Sequence, residues 1–134
     1  METTLLTQDM KELFKNFPLD SQKGKGKEAT CVCAFGIGNI RWFIIEGQPE
    51  GNDFALYGII AGQGEPEYGF FALSEIEAVV ADRSEFGLSE LEVSLIDNLT
   101  GKCLSEIEDE DLHRFLTSPD YDKLIRVSSL TFPI

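Results

Sequence analysis

The stretch Phe54–Val80, FALYGIIAGQGEPEYGFFALSEIEAVV, contains the pattern that decides the fold. Two apolar runs, Phe54–Ala61 and Tyr68–Leu73, flank the connector Gly62–Pro66. Apolar runs on either side of a turn that contains Gly and Pro are typical of a β-hairpin. The segment Ser74–Glu77 then has the spacing of a helix capping box, so the pattern predicts a helix directly after the second strand.

One helix and two strands are predicted before this hairpin. The apolar spacing from Met10 to Phe17 indicates an amphipathic helix, which Pro18 ends. Ala29–Phe35 and Ile40–Glu46 are apolar segments joined by a short glycine-containing connector, and we interpret both as strands. Because strands that follow one another in the sequence usually pair, the simplest topology is an antiparallel meander in the order 1-2-3-4.

The C-terminal part of the chain mixes strand and helix patterns. Leu88–Ile96 alternates as a strand does, although its leucines also fit a helix, and we favour the strand. A second capped helix is predicted over Ser105–Leu116, with its first residue and Glu108 in capping-box positions. Pro119 can begin a third short helix, and Arg126–Ile134 resembles a last strand or an extended cover.

Together these elements predict an α+β fold. It consists of an antiparallel meander sheet of four to six strands, an N-terminal helix, a helix after strand four and a C-terminal helical extension. The 134 residues suit one domain, with a core over about residues 5–97 and an acidic extension over about 98–134. A chain of this size buries roughly two-thirds of its unfolded surface, so it needs neither a disulfide nor a metal to fold.

Charge and composition limit the classes of partner. No apolar run approaches the ~20 residues of a membrane helix, and the N-terminus lacks the features of a signal peptide, so we expect a cytoplasmic protein. Residues 1–28 carry as many lysines as acids, so the net charge of −13 falls on residues 29–134. Such a surface repels nucleic-acid phosphates and anionic lipids, so we expect no nucleic-acid or membrane binding. It suits a basic protein partner, or it serves solubility alone.

Cys31 and Cys33 lie in an apolar segment, where a strand would direct both thiols to the same face. A redox or metal pair is one interpretation, and small buried apolar side chains are the other. We favour the second, because a zinc site usually has four Cys or His ligands and His113 is the one histidine of the chain. We therefore predict neither a metal nor a cofactor.

The segment Glu67–Ile76, EYGFFALSEI, matches a fairly specific motif. Shorter matches are Leu13 with Pro18, Phe35, Trp42-Phe43 with Glu46, and Tyr57–Ile60. On these residues the chain, over roughly residues 5–95, resembles a bacterial family of small domains of unknown function, encoded largely on plasmids, phages and conjugative elements. The resemblance implies an accessory role on a mobile element, and it transfers no catalytic residue.

One family position differs in this chain. Members of the family usually continue their Gly-Leu pair into an Ile-Glu-Arg-Asp strand, whereas Gly87-Leu88 is followed by Glu90–Val93 without an arginine. Any role that this arginine has in the family is therefore in doubt for this chain.

The first functional hypothesis is a non-enzymatic module that binds a basic protein through an acidic surface. Its sharper form is a DNA mimic that inhibits a host nucleic-acid-handling or defence protein, presenting carboxylates in place of phosphates. Five acids within six residues exceed what helix capping needs. The predicted surface consists of Glu106, Glu108, Asp109, Glu110 and Asp111.

The alternative hypothesis is a small enzyme or ligand-binding domain. Its site would lie beside Trp42 and the hairpin turn, with Glu65, Glu67 and Tyr68. Paired carboxylates can exchange protons or bind a cation, although two acids in a turn are commonly just solvated. The sequence shows no Ser/His/Asp, Cys/His or HExxH arrangement, so we assign no catalytic residue, and we interpret His113 as a surface histidine.

Overall fold

The computed structural model describes residues 5–84, 93–96 and 98–117. Within these ranges the chain forms three α-helices and five strands. Short 3₁₀ turns occur at Phe14–Asn16, Gly26–Glu28 and Leu104–Glu106. In chain order the elements are α1 (Gln8–Leu13), β1 (Cys33–Ile37), β2 (Ile40–Glu50), β3 (Asp53–Ala61), β4 (Glu67–Ala72), α2 (Leu73–Ser84), β5 (Ser94–Leu95) and α3 (Glu110–Leu116).

The strands form one antiparallel sheet in the order β4-β3-β2-β1-β5. The predicted α+β meander with a helix after strand four is confirmed, and the hairpin of Phe54–Val80 forms one side of it. β5 adds to the outer side of β1, where Leu95 pairs with Phe35. The strand predicted over Leu88–Ile96 is thus observed only at Ser94–Leu95, and residues 88–92 lie outside the described ranges.

The sheet is covered on both faces, because its inner strands are apolar on both sides. One face, which we call the helix face, packs against α1, α2 and the N-terminal leucines, and it carries Phe35, Trp42 and Leu56. The other, the extension face, carries Phe43 and Ile59. The extension face packs against apolar residues from the C-terminal extension, namely Leu104, Ile107, Leu112, Phe115 and Leu116. Residues 98–117 therefore complete the core rather than lie beside it.

A bulge in β2 anchors the loop of residues 20–27, which we call the lysine-rich loop. The register shifts between Ile44 and Glu46, and the fully buried carboxylate of Glu46 accepts the backbone N–H groups of Asp20 (2.7 Å) and Gln22 (2.8 Å). The buried amide of Gln22 in turn donates to the backbone oxygen of Thr30 at 2.7 Å. The side chain of Gln22 therefore anchors the loop to residues far away in the sequence, including Ile45 of β2, whose backbone oxygen accepts at 2.8 Å.

Several predicted strand boundaries were wrong. β1 begins at Cys33 rather than at Ala29, and β2 continues beyond Glu46 to Glu50. The bulge allows this continuation, since it absorbs one extra residue while the pairing with β3 resumes. The turn between β2 and β3 consequently shortens to Gly51 and Asn52, with Gly51 at a φ of +62°.

The predicted capping box of Ser74 and Glu77 is also wrong. Helix α2 begins one residue earlier, and Glu75 accepts the N–H of Ala72 at 2.9 Å. The Ser74 hydroxyl instead donates to the carboxylate of Asp53 at 2.6 Å. The Ser-x-x-Glu spacing identified the correct region. However, Asp53 of β3 accepts the hydrogen bond from Ser74, and Glu75 rather than Glu77 accepts a backbone N–H at the start of the helix.

The predicted continuous helix over Ser105–Leu116 is interrupted. A 3₁₀ turn ends at Glu106, the buried Ile107 is extended at ψ 130°, and α3 begins only after Asp109. Asp109 is the N-cap, so the predicted cap formed by Ser105 with Glu108 is wrong. Ile107 is extended because its side chain is buried on the extension face, and the helix is therefore interrupted at this residue. The helix predicted at Pro119 and the tail Arg126–Ile134 lie outside the described residues.

The expectation that Cys31 and Cys33 share a face is wrong. Cys31 precedes β1 and packs on the extension face, whereas Cys33 packs on the helix face. Burial raises the pKa of the Cys31 thiol to about 12 and raises the pKa of Cys33 as well. Both side chains therefore behave as small apolar core residues, as the sequence favoured. No helix in residues 5–84, 93–96 and 98–117 has the length and hydropathy needed to span a membrane.

Candidate functional site

Arg41 joins the sheet to the acidic segment before and within α3. It lies near the start of β2, and its guanidinium donates to both carboxylate oxygens of Asp109 at 2.9 Å. The same group donates to Asp111 at 3.0 Å and to the backbone oxygen of Asn39. The side chains of Arg41 and Asp109 are only 18% and 14% exposed. Such a bidentate, largely buried pair fixes both position and orientation.

The pKa values of the three groups reflect this pairing. The hydrogen bond that Arg41 donates to Asp109 raises the pKa of Arg41, against the cost of burial. Burial alone would raise the pKa of Asp109, but the hydrogen bonds from Arg41 and from the Leu112 N–H leave it below its ordinary value. Hydrogen bonds from Arg41 and Arg114 lower the pKa of Asp111. All three groups are therefore held in their charged forms at neutral pH.

The turn between β3 and β4 lies at the same end of the sheet. Gly62 begins this turn at a φ of +93°, and a Cβ atom there would lie 1.8 Å from the Asn39 oxygen and 2.8 Å from a nitrogen of Arg41. Further along the chain, the rings of Tyr68 and Phe115 meet edge to face, with centroids 5.6 Å apart. These contacts hold the turn and α3 close together.

Carboxylates from two distant parts of the sequence consequently share one end of the molecule. Glu65 is exposed in the turn and Glu67 is exposed at the start of β4. Glu108 and Glu110 are exposed beside the paired Asp109. We call this surface the acidic end and define it by Glu65, Glu67, Glu108, Asp109, Glu110 and Asp111.

Glu106 belongs to a different part of the surface. Its carboxylate accepts the N–H of Cys103 at 2.9 Å, at the 3₁₀ turn that packs beside Ala29 and Thr30. Of the acids predicted to form one surface, Glu106 is therefore the one that serves as a local cap away from Arg41. Asp109 and Asp111 are present at the acidic end, but Arg41 compensates part of their charge.

Trp42 and Tyr68, two residues of the alternative site, lie on opposite faces of the sheet. Trp42 is 3% exposed and packs in the core of the helix face. Tyr68 lies on the extension face, where its ring stacks on Tyr57 with centroids 5.5 Å apart. Glu65 and Glu67 are exposed at the acidic end, and the register places Glu67 on the helix face, opposite Ile60. Arg41 and Trp42 are neighbours in β2, and their side chains lie on opposite faces of the sheet, as strand alternation requires.

Two adjoining cavities lie at the other end of the sheet, where the sequence indicated no site. One of about 570 Å³ separates α1 from the β2–β3 turn, and one of about 380 Å³ lies beside the start of α2. Both are lined by Lys11 and Asp53. In the second, a carboxylate oxygen of Glu77 is buried without a hydrogen-bond partner, and burial, with the nearby charge of Asp53, raises the pKa of Glu77.

Metal-ligating side chains do not cluster in the described part of the chain. His113 is exposed on α3, and no three His, Cys, Asp or Glu side chains of residues 5–84, 93–96 and 98–117 are arranged to hold a metal ion. Sequence reasoning missed the Arg41–Asp109 pair and the exposed Phe70 of β4. The lone arginine in an apolar strand was the signal that could have indicated the pair.

Comparison with known proteins identifies the family of the chain but no individual relative. No curated protein and no solved structure matches it. A family match covers residues 5–95, which is more than half of the 134 residues and ends before the extension that carries α3. The chain therefore belongs to the family described as Protein of unknown function (DUF2958).

Proposed function

We propose that this protein is a non-enzymatic binding module that recognises a basic protein through its acidic end. The observation that carries the proposal is the Arg41 pair, which holds the acids before and within α3 beside the turn of Glu65. Because Arg41 is largely buried and already paired, it fixes the neighbouring carboxylates in place while the exposed ones remain available. A fixed array of like charges is suited to recognising a surface of opposite charge.

The net charge of the chain supports the same choice of partner. At −13, the protein attracts basic surfaces over a Debye length of roughly 8 Å at physiological salt. Lys11 and Lys15 line the cavity beside the β2–β3 turn, at the end of the sheet opposite the acidic end. An approaching basic partner would therefore be oriented toward one end of the molecule.

The sharper form of the proposal is an accessory protein of a mobile element that inhibits a host nucleic-acid-handling or defence protein by mimicking DNA. The mobile-element setting rests on the family resemblance, and the mimicry rests on carboxylates standing where phosphates would bind. Duplex DNA should then compete with this protein for its partner. Simultaneous binding of DNA and this protein to the partner would contradict mimicry while leaving the acidic-end proposal in place.

The test compares two variants of equal charge. One neutralises the acidic end (Glu65→Gln, Glu108→Gln, Glu110→Gln), and the control neutralises exposed acids elsewhere (Asp9→Asn, Glu12→Gln, Glu28→Gln). Tagged proteins are used to capture partners from cells of the source organism at low and high salt, with identification by mass spectrometry. We expect a basic protein to be recovered by wild type and control and lost with the acidic-end variant. Equal recovery by all three would contradict the proposal.

A further inference from the structure

Strand β4 forms one edge of the sheet. Within the described residues it pairs with β3 alone, from Ile60 with Glu67 to Ala55 with Ala72. An edge strand presents backbone N–H and C=O groups to any extended chain that approaches it. The free side of β4 can therefore pair with a further strand through backbone hydrogen bonds.

The side chain of Phe70 makes this edge apolar. It is 48% exposed, and it is the large apolar side chain that the described part of the chain leaves most open to solvent. Its ring contacts Tyr57 at a centroid distance of 4.6 Å, so one side is held against the sheet while the other remains free. Proteins usually protect edge strands with charged residues, but the one charged residue of β4 is Glu67, at its first position.

A cavity of about 450 Å³ opens beside Phe70. The paired residues Ala55 and Ala72 contribute to its floor, and their small side chains leave room above the sheet. Leu19, from the segment that follows α1, lies on another side. The cavity can therefore hold one apolar side chain that a neighbouring strand presents beside Phe70.

Carboxylates border the cavity, and among the residues that the structure describes its lining contains no lysine or arginine. Glu50 and Glu75 are exposed at its rim, and Asp53 is half-buried. At the opposite end of β4 lie Glu65 and Glu67 of the acidic end. The apolar strip along β4 thus has negative charge at both ends, which complements a segment that carries both apolar and basic residues. A second copy of this chain, at −13, is a poor match for the same strip.

We propose that β4 and the cavity beside Phe70 form the docking site for an extended, basic segment of the partner protein. The segment adds a strand to the sheet at β4, inserts an apolar side chain beside Phe70 and sets lysine or arginine side chains against Glu50 and Glu75. This inference rests on the proposed function, because it specifies how the basic partner binds.

Short end-blocked peptides test the docking mode without knowledge of the partner. In the first, lysine alternates with leucine; in the second, lysine alternates with serine; in the third, glutamate alternates with leucine. Binding to the full-length protein is measured by fluorescence anisotropy at low and at physiological salt. We expect the lysine–leucine peptide to bind about tenfold more tightly than the lysine–serine peptide, as one buried anchor residue typically provides, and the glutamate–leucine peptide not to bind.

Two variants assign this binding to the site. Phe70→Thr removes the ring but keeps a residue suited to a strand. It should lower the affinity for the lysine–leucine peptide about tenfold. Glu50→Gln with Glu75→Gln removes charge from the rim while glutamine can still accept the N–H of Ala72. The matched control is Glu12→Gln with Glu28→Gln, whose affinity should equal that of wild type.

The possible outcomes separate this inference from the proposed function. Equal binding of both lysine peptides, or no effect of either site variant, would overturn the docking mode. The acidic-end proposal would still stand if the triple variant at Glu65, Glu108 and Glu110 bound the lysine–serine peptide more weakly than wild type does. If that variant also bound as wild type does, both the docking mode and the acidic-end proposal would fail. A wild-type dimer that Phe70→Thr abolishes in sedimentation velocity would assign the edge to a second copy and overturn the inference.

Discussion

Arg41 donates hydrogen bonds to Asp109 and Asp111, which lie 68 and 70 residues further along the chain. At the scale of single residues, these contacts connect the family core to the extension. The sequence could not reveal them, because nothing local to Arg41 specifies an acid so far away. Local patterns predicted the acids as a helical cluster, and only the packing of Ile107 and Leu112 brings part of that cluster to Arg41.

Replacing Arg41 by methionine should destabilise the protein. The change leaves the 14%-exposed carboxylate of Asp109 without its charged partner, and we expect a loss of about 2 kcal/mol in the free energy of unfolding. The measurement is urea denaturation, extended to a double-mutant cycle with Asp109→Asn. The control is Lys15→Ala, which breaks the pair with Glu12 whose side chains are 73% and 56% exposed and should cost less than about 0.5 kcal/mol. Additive single effects in the cycle would contradict the pairing.

Gly62 is the second residue on which the acidic end depends. Gly62→Ala should cost more than about 2 kcal/mol, because it combines a positive φ with a Cβ that collides with the Asn39 oxygen. Gly64→Ala is the matched control, since Gly64 has a φ of +80° and nothing within 4 Å of its Cβ position, so only about 1 kcal/mol should be lost. Thermal unfolding followed by circular dichroism measures both. Equal losses would show that the close approach of the two turns is absent in solution.

At the scale of elements, the sequence predicted the sheet better than the ends of its helices. The apolar runs Phe54–Ala61 and Tyr68–Leu73, on either side of a turn that contains Gly and Pro, identified the hairpin. Helix starts were misplaced because the Ser-x-x-Glu signal occurs wherever these residues cluster, and tertiary acceptors such as Asp53 decide which hydrogen bonds form. The bulge at Glu46 had no sequence signal, so β2 was predicted too short.

Gln22→Ala should loosen the lysine-rich loop. The buried amide of Gln22 donates to the backbone oxygens of Thr30 and Ile45 and accepts the N–H of Thr30, so its loss leaves buried backbone groups unpaired. We expect about 3 kcal/mol of destabilisation and faster hydrogen exchange at the Thr30 amide. Lys23→Ala, at an exposed neighbour, should change neither quantity. Unchanged exchange at Thr30 in Gln22→Ala would contradict the anchored loop.

At the scale of the whole molecule, the depressed pKa values of Asp109 and Asp111 make stability depend on pH. Each carboxylate has a lower pKa folded than unfolded, so its contribution is complete above the unfolded pKa of about 3.9 and is lost as the pH falls through the folded pKa. Arg41→Met should therefore be less stable than wild type at pH 7, and the difference should shrink as the pH falls below the unfolded pKa of about 3.9. Melting temperatures of both proteins across pH 2–8 test this, and a difference independent of pH would contradict it.

The whole molecule also shows where prediction from sequence reaches its limit. Charge segregation led to the proposal of a basic partner, because it needs only a count of charges along the chain. The surface that presents the charge required the fold, since Glu65 and Glu110 are brought to one end by contacts that no local pattern encodes. Phe70 was missed for the same reason: whether an apolar strand residue is buried depends on what covers its face.

The most direct test of the central claim is the affinity of the purified basic partner for this protein as a function of salt. We predict that affinity falls steeply with salt for wild type and for the Asp9, Glu12 and Glu28 control. The Glu65, Glu108 and Glu110 variant should bind more weakly at low salt and lose less affinity as salt rises, because rim charges set the salt dependence. Identical salt dependence in all three proteins would show that the acidic end does not contact the partner.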